Sequence, residues 1–162
     1  MSAPSSATAR TARTLTSKSA APARGRVAGN TAAAVLTAAA SIHAYWALGG
    51  TWAAATAYGS TDLPPRGVVA VVTVLIAAGA TLLLVRVGTL PLTLPASLLR
   101  WGPWAMAAVM LLAGVNNVLA PSDSYAREWH VWFFGPLLVV VALLCAVAAR
   151  SPLRGNGDAG NV

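Results

Sequence analysis

The chain has 162 residues, 57% of them hydrophobic and only 9% charged, with 11 basic against 4 acidic side chains and a net charge of +7. A soluble domain carries about 25% charged residues. So few charges cannot cover a solvated surface, which excludes the ordinary soluble classes and points to one integral membrane domain. The positive balance does not point to nucleic acid. Five of the eleven basic residues lie in the first 26 positions and none lies in 27–65, a flanking pattern rather than a binding face. The single cysteine, Cys145, excludes an intramolecular disulfide, a C-x-x-C redox pair and a Cys-rich zinc site.

Residues 1–26 are rich in Ser, Thr, Ala and Pro, with Arg10, Arg13, Lys18, Arg24 and Arg26. They lack the large apolar groups that offset ordering entropy, which predicts a disordered basic cytoplasmic tail. The first apolar segment spans 27–48. It is longer than a signal-peptide core and closes on bulky His43, Tyr45 and Trp46, so it reads as an uncleaved helix. Gly49-Gly50 ends it, as glycines after a helix C-terminus do. Asp62-Leu63-Pro64-Pro65 reads as a rigid loop before the second span, 67–87, whose one charge is Arg86 near its end.

The third span is 101–120, with Pro103 placed in its first turn, where the missing N–H costs nothing. The fourth is 129–149. Starting it at Pro136 would leave about 21 Å of helix, short of a core of about 30 Å. The helix is therefore expected to begin near Trp129 and to bend at Gly135-Pro136. Residues 151–162 form a short second cytoplasmic tail. The fold class is all-α, a four-helix up-down membrane bundle over 27–150.

The basic residues set the expected orientation, with both termini inside. The inner side then holds nine of the eleven, and only Arg66 and Arg127 fall outside. Tyr45, Trp46, Trp52, Tyr125, Trp129 and Trp132 gather at the outer interface, Trp101 and Trp104 at the inner one. Ala34, Ala38, Gly79, Ala113 and Gly114 supply the small residues that close helix contact in lipid needs.

Polar residues at membrane depth are few and costly, and they mark candidate sites. His43, Asn116, Asn117 and His130 fall near the outer ends of their helices, with Asp123, Tyr125, Arg127 and Glu128 in the loop between the last two spans. They define an expected outward pocket of His43, Tyr45, Trp46, Asn116, Asn117, Glu128 and His130. Two readings of His43 stay open: a ligand or proton group, or a tie to Asn116 or Asn117 that locks two helices. No acidic residue lies mid-span, which argues against a proton-coupled four-helix exporter, and there is no phosphate loop, H-E-x-x-H or G-x-S-x-G.

At "IHAYWALGGTW", residues 42–52, the chain resembles a family of short bacterial four-span membrane proteins known only as a domain of unknown function. The resemblance rests on an H-x-Y-W-A-L-G-G signature closing the first helix, matched here by His43, Tyr45, Trp46, Ala47, Leu48, Gly49 and Gly50. Family members often carry a further glycine soon after the next tryptophan; here Ala53 to Ala55 follow Trp52. The resemblance implies the topology and no activity.

Three functions fit. The first is a non-enzymatic multi-pass protein of a bacterial plasma membrane, binding a small molecule, lipid or partner in the outward pocket. The second is a haem- or metal-binding membrane oxidoreductase with His43 and His130 as ligands. The third is a structural subunit that assembles with another membrane protein. No cofactor follows from the sequence itself.

Overall fold

The computed structural model describes residues 6–119 and 126–152. Asp123 and Tyr125, and the tail residues 1–5 and 153–162, lie outside the described residues. Among these residues, six helices and one wide turn run in order: α1 (Ser6–Ala47), α2 (Ala54–Tyr58), α3 (Arg66–Arg86), α4 (Ala96–Leu119), α5 (Ala126–Trp129), a π turn (His130–Phe134) and α6 (Gly135–Arg150). Four stretches are long and apolar enough to cross a membrane: Ala23–Ala47, Arg66–Arg86, Ala96–Leu119 and Ala126–Arg150. The chain is thus an all-helical multi-pass membrane protein. Helical backbone in α1 starts at Ser6, running through the stretch whose composition predicts a disordered tail. A segment that continues an existing helix needs no costly nucleus of its own.

Around the bundle the spanning helices take the cyclic order α1, α3, α4, α6. Packing is closest in two pairs, α1 with α3 and α4 with α6. α1 also lies along α6, whereas α3 and α4 touch sparsely. The shared core holds Leu83, Val141 and Cys145 at its centre, against Ala32, Ala33, Leu36, Ala80 and Ala148. Alanines at these contacts let the backbones approach, which matters where lipid offers no hydrophobic drive to association. The inward face of α1 is therefore Ala32, Ala33, Leu36 and Ala40; Ala34 and Ala38 are exposed. Helix hydroxyls bond their own backbone four residues back, Thr37 to Ala33, Thr73 to Val69 and Thr81 to Ala77, so none of these is left bare in lipid.

Two proline positions shape the second pair. α4 starts at Ala96, just after Pro95, so Pro103 is inside the helix rather than in its first turn as expected. Ser97 to Arg100 contain no breaker, and the Pro95 carbonyl accepts the N–H of Leu99, so the helix begins a turn and a half earlier than the tryptophan marker implies. In the last span the bend expected at Gly135-Pro136 takes the form of the π turn. The N–H of Gly135 bonds the carbonyl of His130, five residues back. The wider turn re-routes the bonding ladder just where Pro136 supplies no donor.

The glycines at this turn set how closely α4 and α6 cross. A Cβ at Gly114 would lie 3.0 Å from the Gly135 carbonyl oxygen, and one at Gly135 would lie 2.6 Å from Val118 Cγ2 and 2.9 Å from the His130 oxygen. The obstacles are largely backbone and cannot rotate away. Gly135→Ala is expected to destabilise the bundle by about 1–3 kcal/mol in detergent unfolding titrations. Gly67→Ala, where a Cβ meets nothing within 4 Å, is the control and is expected to be neutral or slightly stabilising. Equal responses at the two positions would show that backbone approach does not limit the α4–α6 crossing.

Candidate functional site

The stretch 43–50 at the end of α1 resolves into a set of local requirements. Gly49 N–H bonds the Trp46 carbonyl at 2.9 Å and Gly50 N–H bonds the Tyr45 carbonyl at 3.0 Å, the paired bonds of a Schellman termination. That termination needs a left-handed residue, and Gly49 supplies it with φ of 99°. The Tyr45 ring lies directly on Gly50, where a Cβ would fall inside the ring. Arg66, at the start of α3, lays its guanidinium over Gly49, with Nη2 2.8 Å from where a Cβ would stand. A cation is thereby held beyond the carbonyl end of α1, where the helix dipole favours it.

Trp46 organises the chain beyond this helix end. It is 4% exposed, and its indole N–H donates to the Trp52 carbonyl at 2.8 Å. Its ring meets His43 edge-on at 5.0 Å and Tyr58 edge-on at 5.5 Å between centroids. One buried side chain therefore joins the last turns of α1, the loop after it and the short helix α2. From the other side, His130 donates its Nε2–H to the Ala57 carbonyl at 2.8 Å. Ala54 of α2 and Ala126 of α5 are both fully buried at this seam. Clamped between Trp46 and His130, α2 forms a cap over this end of the bundle, the His43 end.

Ala53, which precedes α2, adopts φ of 61° and is the one non-glycine with positive φ among the described residues. Left-handed backbone costs an L-residue about 1–2 kcal/mol. The bonds flanking Ala53, from Trp46 on one side and His130 on the other, over-determine the chain path and hold that strain in place.

The two histidines take different roles. His43 is half-buried and its Nδ1–H donates to the Ala39 carbonyl at 2.9 Å, which selects the Nδ1–H tautomer and turns Nε2 away from its own helix backbone. His130 spends Nε2 on the cap. The tie from His43 to Asn116 or Asn117 is not formed: α1 and α4 are diagonal in the bundle, and the histidine's bond stays within its own helix. Asn116 is exposed on α4 and Asn117 is half-buried. Glu128 and Tyr45 are exposed. Of the seven expected residues, the cap links His43, Trp46 and His130 through α2, with Tyr45 alongside on Gly50. Tyr58, Arg66 and the carbonyls of Trp52 and Ala57 escape sequence reasoning, because a helix as short as α2 has no periodicity to read and carbonyl partners carry no sequence signal. No three His, Cys, Asp or Glu side chains come together as a metal cluster among the described residues.

Comparison with known proteins gives one finding. A family model described as "Protein of unknown function (DUF3995)" matches residues 26–145, from the start of the first span to the core of the last. No curated protein and no solved structure matches the chain.

The cap generates two expected outcomes. Ala53→Gly relieves the left-handed alanine but adds backbone entropy to the unfolded chain, worth about 0.5–1 kcal/mol. The net expected gain is about 0.5–1 kcal/mol in unfolding titrations, and a loss would mean that the Ala53 methyl packs usefully. Burial pushes the Tyr58 phenol above its ordinary value. A phenol with a raised folded value stabilises the protein below the unfolded pKa of about 10 and loses that contribution as pH rises through the folded one. Melting temperature should fall on going above about pH 10 in the wild type and fall less in Tyr58→Phe; parallel curves would dismiss Tyr58 as the group responsible.

Proposed function

The chain belongs to the DUF3995 family of unknown function, and on that footing we propose that it is a non-enzymatic binding protein of a bacterial plasma membrane, taking up a small molecule, a lipid or a partner at its His43 end. The observation that carries this reading is the state of His43. Its Nδ1–H is committed to Ala39 and its ring meets the buried Trp46 edge-on, which leaves Nε2 as the ring nitrogen that a ligand would meet. A backbone carbonyl that fixes the tautomer of a histidine is the arrangement seen where the other ring nitrogen meets a ligand. Exposed Tyr45, Trp52 and Trp129 flank that end and offer amphipathic faces to an occupant at the membrane interface.

The orientation in this proposal is N-in and C-in, with the His43 end outward. It rests on charge: Arg24, Arg26, Arg86, Arg100 and Arg150 cluster toward one end, and only Arg66 and Arg127 flank the other. The haem or metal reading with His43 and His130 is less well supported, since His130 would have to give up Ala57 or bind through Nδ1. The subunit reading draws on Ala34 and Ala38, which present small side chains outward, four residues apart on α1.

The test is to purify the protein in mild detergent, record its visible spectrum, and identify bound metals and small molecules by mass spectrometry, with His43→Ala beside the wild type. The expected result is a bound molecule lost in the variant, with a stability cost of only about 1 kcal/mol, since the lost bond is local and the lost contact is one aromatic edge. A wild type with nothing bound, and a variant that simply melts much earlier, would make His43 a structural residue.

A further inference from the structure

The opposite end of the bundle holds a charge that the fold alone leaves under-used. Arg86 is the last residue of α3 and is 8% exposed. Its Nη2 donates to the Ala149 carbonyl at 2.9 Å and to the Ser151 carbonyl at 2.6 Å. The guanidinium thus caps the C-terminal carbonyls of α6, which have no partner within their own helix. Its Nε and Nη1 are buried and have no hydrogen-bond partner among the described residues. An arginine offers five N–H donors in a planar fork, and leaving several of them buried and unmet is costly.

The surroundings describe what would satisfy them. α1 closes over the same end, with Gly25 against Ser151 and Gly29 against Val87. The nearby ends of the spanning stretches carry Arg24, Arg26, Arg100 and Arg150, all exposed. The carboxylates among the described residues, Asp62 and Glu128, belong to the His43 end. Arg150 lies over the Trp104 ring at 5.6 Å and Arg100 over Trp101 at 5.4 Å. Tryptophans paired with arginines at helix ends mark the headgroup level of a bilayer, which puts the Arg86 fork at the depth of lipid phosphates. An oxyanion with two or more acceptor oxygens matches a guanidinium fork better than any neutral group does.

We propose that Arg86, between α1, α3 and α6, holds a phosphate group, with an anionic phospholipid headgroup as its source. The unmet nitrogens are closed to bulk water, which favours an occupant that seats as the helices pack within the bilayer over one exchanging from solution. The basic rim then selects for net negative charge, as basic pockets between spanning helices do. This site is separate from the His43 end and holds whichever way the chain faces.

Native mass spectrometry of the full chain released from nanodiscs of phosphatidylglycerol, or of phosphatidylcholine, tests it. The expected result is retention of one phosphatidylglycerol per chain under conditions that strip phosphatidylcholine. Retention should drop about tenfold in Arg86→Gln, the loss of a charge-assisted hydrogen bond or two. Arg100→Gln and Arg150→Gln each remove one of four rim charges and no fork, and should lower retention by much less than Arg86→Gln does. Arg86→Lys keeps the charge without the fork, and is expected to fold and to retain the lipid weakly. Displacement of the lipid by inorganic phosphate at millimolar concentration would support a phosphate site but assign its source to solution. A wild type that retains neither lipid nor phosphate would overturn the proposal, whether or not the variants fold. So would an equal loss in Arg86→Gln and Arg100→Gln, which would mean diffuse attraction to the rim.

Discussion

Within a bilayer, a backbone N–H or carbonyl that leaves its helix finds no water, and each such group left bare costs several kcal/mol. This requirement governs the places where the four spans begin, end or bend. α1 and α3 both stop on the same paired-bond geometry, with Gly49 and then Gly88 in the left-handed conformation. α6 stops against the Arg86 guanidinium instead, because Ser151-Pro152 supplies no glycine there. The last span crosses its proline by widening one turn rather than by breaking. In each case a specific residue is present because a carbonyl or an N–H needed it.

Much of this is legible in the sequence where the signal is local. Hydrophobic length locates the four spans, and Gly49-Gly50 marks the first helix end, because span length and left-handed backbone are properties of a few consecutive residues. The break at Gly135-Pro136 is legible for the same reason, although proline alone does not say whether a helix kinks or widens. Pro103 misleads because Trp101 looks like the helix start, while helix formers just before it have already begun the turn. Anything that depends on which helices are neighbours stays hidden. His43 and the asparagine pair occupy similar depths, but the cyclic order α1, α3, α4, α6 sets their helices diagonally. Likewise Arg86 reads as one more flanking charge until α6 is seen to end against it.

The two ends of the bundle solve different problems. At the His43 end the chain folds back as a short capping helix, held by one indole, one imidazole and the carbonyls they reach. Those contacts leave Tyr45, Trp52 and Trp129 facing outward. At the other end no comparable cap is present among the described residues, and charge takes its place. Between them, α4 is the least covered helix, contacting α6 closely through Gly114 and α3 only through contacts such as Met106 on Gly79 and Leu82 on Gly102. The seam between α3 and α4 is therefore the looser one of the ring.

The wide turn at His130–Phe134 also works as a rotational offset. A π turn holds one residue more than the α-helical turn it replaces, and each helical residue advances the chain by about 100° around the axis. Everything on the α5 side of the turn is thereby rotated by about that angle relative to the face that α6 presents to α1 and α4. Without the extra residue, Gly135 and Val141 could keep their places in the core while His130 swung to another side of the span and Ala57 lost its donor. The phase of one helix, set by a single inserted residue beside Pro136, thus decides whether the cap over the His43 end is latched.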